Sequence, residues 1–206
     1  MRYYLAALAT IVALSSASLY ADPVGYTHAG TVAPTVSTTA TSSSIDAYFY
    51  SSSAADNDTI SLYDLTTKSF LSPGNILPNH SSTPGSEVTF SGASIGDEIV
   101  FELSNKVYPG DIFASDPALS SDGINHSYIT NFDGKIPGSS VTISGPALYI
   151  GMEDLPKGAT DLDYNDDNFV VRGVSTTPAV PEPSSIVLLG TGLLAAAGAV
   201  RRKFAC

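Results

Sequence analysis

Ala147 to Val174 reads A-L-Y-I-G-M-E-D-L-P-K-G-A-T-D-L-D-Y-N-D-D-N-F-V-V-R-G-V. Two apolar runs, Ala147 to Met152 and Phe169 to Gly173, enclose a loop that holds six of the chain's twenty carboxylates and one lysine. The runs are rich in Val, Ile, Tyr and Phe, which fit a pleated, half-buried surface. The stretch therefore predicts two strands joined by an acidic loop.

Carboxylates this dense repel one another and need either bulk water or a cation between them. Calcium suits the second case, because it takes six to eight oxygens in flexible geometry. Asp161, Asp163 and Asn165 alternate as ligands do in a calcium-wrapping loop. The EF-hand template fails, however: Asp166 stands where its sixth position needs Gly, and Arg172 where its twelfth needs Glu. The candidate calcium ligands are Asp154, Asp161, Asp163, Asn165 and Asp166, with Glu153 and Asp167 in reserve. Asp, Asn and Gly also form solvated turns without any metal, and composition leaves both readings open.

Outward from this stretch, strands fit at Ile45–Tyr50, Thr59–Leu65, Glu87–Phe90, Glu98–Ser104, Ser127–Phe132 and Val141–Ser144. The first two, separated by a polar turn at Ser51–Asp58, are expected to pair as a hairpin. Residues 73–85 and 110–125 read as loops, the second carrying Asp116 and Asp122 with His126 directly after it, close enough in sequence to approach the acidic site. No helical periodicity is sustained between the two ends of the chain. The expected fold is all-β, an antiparallel β-sandwich or jelly roll, with an N-terminal signal helix and a C-terminal hydrophobic helix.

With 43% hydrophobic residues the chain can build one core. Between Asp22 and Val180 there are nineteen Asp and Glu against five Lys and Arg, so nucleic acid would have to bind against phosphate repulsion and is not an expected partner. The single cysteine, Cys206, excludes an intrachain disulfide and a cysteine nucleophile in the exported part. No G-x-S-x-G elbow, histidine metal spacing or phosphate-cradling glycine motif is present, and the acids cluster in one loop rather than facing each other across a cleft. The expectation is a protein that is not an enzyme; a glycan-active hydrolase is the weaker alternative.

The ends are addresses. Residues 1–21 have a positive start at Arg2, an apolar run from Leu5 to Leu14 and small residues before Ala21, the pattern of a secretory signal peptide. Residues 22–44 are rich in Ser and Thr and read as a linker or first strand. Residues 45–174 form the exported β-domain and 175–180 a short linker. Residues 181–206 hold Pro181, Glu182 and Pro183, an uncharged run from Ile186 to Val200, and Arg201, Arg202 and Lys203, a basic cluster that stays cytoplasmic beside a membrane helix.

This tail resembles the PEP-CTERM sorting signal of Gram-negative bacteria. The resemblance implies export across the inner membrane by the secretion machinery, transient anchoring in that membrane, and processing by an exosortase near Pro181, Glu182 and Pro183. Cell surface or extracellular matrix is then the destination, in bacteria that make extracellular polysaccharide. Residues 45–174 resemble a second family, the domain of unknown function 4114, through Glu153-Asp154-Leu155-Pro156-Lys157-Gly158, Asp161-Leu162-Asp163-Tyr164-Asn165-Asp166 and Phe169-Val170-Val171. That likeness implies a β-rich fold and calcium binding in secreted, adhesion-like proteins, without a known catalytic activity. The functional expectation is a calcium-stabilised surface or matrix protein with an adhesive or polysaccharide-associated role. A metal-free, self-associating matrix or surface-layer component is the alternative.

Overall fold

The computed structural model describes residues 24–176. The expected signal helix, the sorting motif and the C-terminal hydrophobic helix lie outside the described residues, among which no helix is long and apolar enough to cross a membrane. The regular structure within them is β: β1 (Thr38–Ala40), β2 (Ser44–Ser52), β3 (Asp58–Asp64), β4 (Ser69–Phe70), β5 (Glu87–Ser91), β6 (Glu98–Asn105), β7 (Phe113–Ala114), β8 (Ser127–Asn131), β9 (Gly134–Lys135), β10 (Thr142–Ile143), β11 (Leu148–Met152), β12 (Asp167–Arg172) and β13 (Val174–Thr176). One antiparallel sheet runs β13-β1-β6-β3-β4, with β7 also on β6; the other runs β5-β2-β12-β11-β8.

Alternation explains why the sheets face each other. Ile45, Ala47 and Phe49 of β2, Ile150 and Met152 of β11, and Phe169 and Val171 of β12 share one buried cluster with Ile60 and Leu62 of β3 and Ile99, Phe101 and Leu103 of β6. Period-two side chains put each set on one face of its strand, and the two faces close on each other as a sandwich. The opposite face of the β2-β12-β11 sheet is apolar too. Tyr48, Tyr50, Tyr149 and Val170 pack under Ile136 and Ile143, carried by the β9-β10 hairpin region as a small third layer.

The expected hairpin of residues 45–50 and 59–65 does not form. Those residues lie in β2 and β3, which belong to different sheets, and the connection 53–57 crosses between them. A two-residue glycine turn is what would fold such strands back on each other, and S-A-A-D-N offers none. Crossing instead lets both apolar faces meet the same core.

The sheet also extends beyond the expected boundaries of 45–174. Thr38–Ala40, from the Ser/Thr-rich segment, pairs with both β6 and Val174–Thr176. The β2-β12 ladder slips at Asn168/Phe169: Phe169 faces Phe49 while Asn168 faces Ser51, leaving Tyr50 as the bulged residue. The slip precedes the acidic end of β12.

Candidate metal centre

The strand phase divides the acidic loop, residues 153–166. Leu148, Ile150 and Met152 of β11 point into the sandwich and Tyr149 points out. Continuing that alternation, Glu153 faces the outer side of its sheet and Asp154 the space between the sheets. Two carboxylate groups result, one on each side of the hairpin.

On the outer side, carboxylate oxygens of Glu153, Asp161 and Asp163 lie within 4.8 Å of one another. Glu153 is fully buried, and its carboxylate accepts hydrogen bonds from the Tyr164 amide and the Thr160 hydroxyl. Burial pushes Glu153 up to about 7 despite those bonds, and the charges of Asp166 and Asp161 push the same way. Burial, then the neighbouring Asp161, also raises Asp163.

The loop is turned toward Glu153 by Leu162 and Tyr164, both left-handed at φ 55° and 57°, a conformation uncommon for residues with a Cβ. Tyr164 holds that turn in place. Its buried hydroxyl accepts from the Ala33 amide at 2.8 Å and donates to the Asn125 carbonyl at 3.1 Å. Its own carbonyl rests on Gly151, where any Cβ would collide with it.

On the inner side, Asp154 meets Asp166, Asp167 and Asp58. Asp58 opens β3 in phase with Ile60 and Leu62, and Asp167 opens β12 in phase with Phe169 and Val171, so both continue an apolar face as a carboxylate. Exposure falls to 1% at Asp58, 3% at Asp154 and 0% at Asp167. Burial first, then mutual repulsion, raises Asp154 and Asp166 to about 7. Burial likewise holds Asp58 up to about 6, and it drives Asp167 well above the ordinary carboxylate range, with the charge of Asp58 adding to it. Among the described residues no Lys or Arg lies within ion-pair distance of an acid, the one such contact being His126 to Asp122, so neither Lys nor Arg offsets these charges.

Six of the seven residues expected to bind metal thus divide into two groups: Glu153, Asp161 and Asp163 outside, Asp154, Asp166 and Asp167 inside. Asn165 stands between them. Its side-chain amide donates to Asp163, while its side-chain oxygen accepts from the Ser53 hydroxyl. From the neighbouring loop, Asp122 accepts from the Lys157 amide at 2.7 Å and from His126 at 3.1 Å, bracing the acidic loop from outside both groups. Burial opposes ionisation of Asp122, but the Lys157 amide and His126 outweigh it and its pKa is lowered. Asp116 closes its own turn onto the Ala118 amide. Sequence reasoning missed Asp58, although an acid in phase with the core residues of a strand was a readable signal.

Residues 179–203 match the PEP-CTERM protein-sorting motif, which includes Pro181, Glu182, Pro183, Arg201, Arg202 and Lys203. No curated protein and no solved structure matches the chain. The motif makes the chain an exosortase substrate, exported, held at the membrane for sorting and destined for the cell surface.

Proposed function

We propose that this chain is a surface or extracellular-matrix protein of a Gram-negative bacterium, stabilised by calcium in its acidic hairpin and associated with extracellular polysaccharide. The carrying observation is the convergence of buried Glu153, half-buried Asp163 and exposed Asp161 in one loop of an exported domain. Three carboxylates and the surrounding backbone carbonyls are the hard oxygen donors calcium takes, and extracellular modules work with sites of about 10⁻⁴ to 10⁻³ M affinity. The likeness of residues 153–171 to the domain of unknown function 4114 supports the same reading. Asp161 is exposed, which leaves a bound ion open to a second ligand such as an anionic sugar. The role is non-catalytic: the ion orders the loop and bridges to polysaccharide.

The test is retention of the purified full chain, in detergent, on polysaccharide from the producing bacterium, with calcium or with chelator. Retention that falls at least about tenfold on chelation supports the proposal. Equal retention in both conditions removes the calcium-bridging role, and assembly of the chain on itself without polysaccharide supports the structural alternative.

A further inference from the structure

The inner carboxylates differ from the outer three in what they join. Asp58 belongs to the sheet containing β3, whereas Asp154, Asp166 and Asp167 come from the β11-β12 hairpin of the opposite sheet. The two sheets therefore meet at this end of the sandwich through four acids rather than through apolar side chains. Ionised carboxylates removed from water cost several kcal/mol each unless paired.

The hydrogen bonds leave a specific remainder. Asn79 donates from its amide nitrogen to Oδ2 of Asp58 at 3.3 Å and to Oδ2 of Asp167 at 3.5 Å. The Asp154 amide donates to Oδ2 of Asp166 at 3.2 Å. Oδ1 of Asp58 and Oδ1 of Asp167, on side chains that are 1% and 0% exposed, have no partner. Asn79, whose shortest bond runs to the Asp56 carbonyl at 2.8 Å, thus reaches one oxygen of each acid, and the other oxygen of each is buried without a hydrogen-bond partner. Buried polar atoms are rarely left without partners, and a cation between the neighbouring Asp58 and Asp167 side chains would satisfy both. A surface cavity of about 380 Å³ is lined in part by Ser52, Asn79 and His80, and Asn79 also bonds Asp58.

We infer that Asp58, Asp154, Asp166 and Asp167 form a second, buried calcium site that clamps the start of β3 to the β11-β12 hairpin across the two sheets. Four carboxylates in contact suit calcium, which accepts irregular all-oxygen cages, better than magnesium, which keeps octahedral geometry and most of its water. This site goes beyond the surface-loop site of the proposed function, and it stands or falls separately.

The experiment is equilibrium dialysis of the full chain in detergent against calcium chloride, for wild type, Asp58→Asn and Asp163→Asn, with thermal unfolding in chelator as a second measurement. Expected are about two ions per wild-type chain and about one in each variant. Asp58→Asn should also raise the melting temperature of the chelated chain near neutral pH, because it removes a buried repulsion, while losing part of the rise that calcium brings. If Asp58→Asn fails to fold, Asp154→Asn replaces it with the same expected loss of one ion. Full calcium uptake in a folded inner-site variant overturns the inference. A single wild-type ion lost only in Asp163→Asn overturns it too and leaves the surface-loop site standing. A single ion lost only in Asp58→Asn upholds the inner site and removes the outer one. No ion in the wild type removes both.

Discussion

Chelation and a rise in pH should weaken this domain together. An unfolded Asp titrates near 3.8, while burial holds Asp58 up to about 6 in the folded chain. Between those values the folded state keeps a proton that the unfolded chain has released. The stability from that proton is whole below about pH 4 and is lost as the pH climbs through about 6. From about pH 5 to about pH 7.5 the Asp58 shift alone lowers stability by about 1.4 kcal/mol. For an m value of about 2 kcal/mol per molar urea, the midpoint falls by about 0.7 M. Asp154 and Asp166, raised to about 7, act in the same direction. Asp64 and Asp122 are held below the ordinary value, so their contribution disappears only under about pH 4, outside this window. Calcium at about one hundred times its Kd adds about 2.7 kcal/mol and competes with the protons, so the loaded chain should weaken on acidification instead. The assay is urea unfolding of the full chain in detergent, followed by tyrosine fluorescence because the chain has no Trp. A chelated chain equally stable or more stable at the higher pH would refute the reasoning.

Tyr164→Phe removes the acceptor of the buried Ala33 amide and should cost about 1–3 kcal/mol in urea unfolding, with weaker calcium binding because the loop loses its anchor. Gly151→Ala pushes a methyl group against the Tyr164 carbonyl; a loss of about 1–3 kcal/mol is expected, measured as a lower thermal midpoint. Phe169→Ala opens the shared core beside Phe49 and should cost about 3–5 kcal/mol by the same measurement. Replacing Pro181, Glu182 and Pro183 with Ala should leave unprocessed chain in the membrane fraction of the producing bacterium, seen as a larger band on immunoblotting.

Strands announced by alternation were legible. Ile99, Phe101 and Leu103 mark the inner face of β6, and the apolar runs at 147–152 and 169–173 contain β11 and most of β12. What could not be read was which strands pair. β2 and β3 look like neighbours in sequence because a polar turn separates them, yet β2 lies between β5 and β12 in one sheet and β3 between β4 and β6 in the other. Short pieces such as β7 and β9 carry too few residues for a period to show. They are strands because a neighbouring strand offers unpaired backbone groups, which is a property of the assembled sheet.

The acidic loop was legible as a concentration of carboxylates, but not as two groups. The division follows from β-geometry carried past the strand end: adjacent residues must leave on opposite faces, so Glu153 and Asp154 cannot serve the same ion from the strand itself. The same rule places Asp58 opposite Asp154, because Asp58 shares the inward phase of Ile60 and Leu62 in the facing sheet. An acid at that phase would ordinarily be replaced by an apolar side chain, since the pleat buries it whatever its chemistry. Four such acids meeting where two sheets close, with the hydrogen bonds of Asp58 and Asp167 spent on one oxygen of each, describe an end of the core built to be completed by charge rather than by packing. That arrangement ties the closure of the sandwich to the medium around it. The β11-β12 hairpin should be loosest in a calcium-poor periplasm and tightest after delivery to a calcium-rich surface, and hydrogen exchange of the Asp154 and Asp167 amides should slow at least about tenfold on adding calcium.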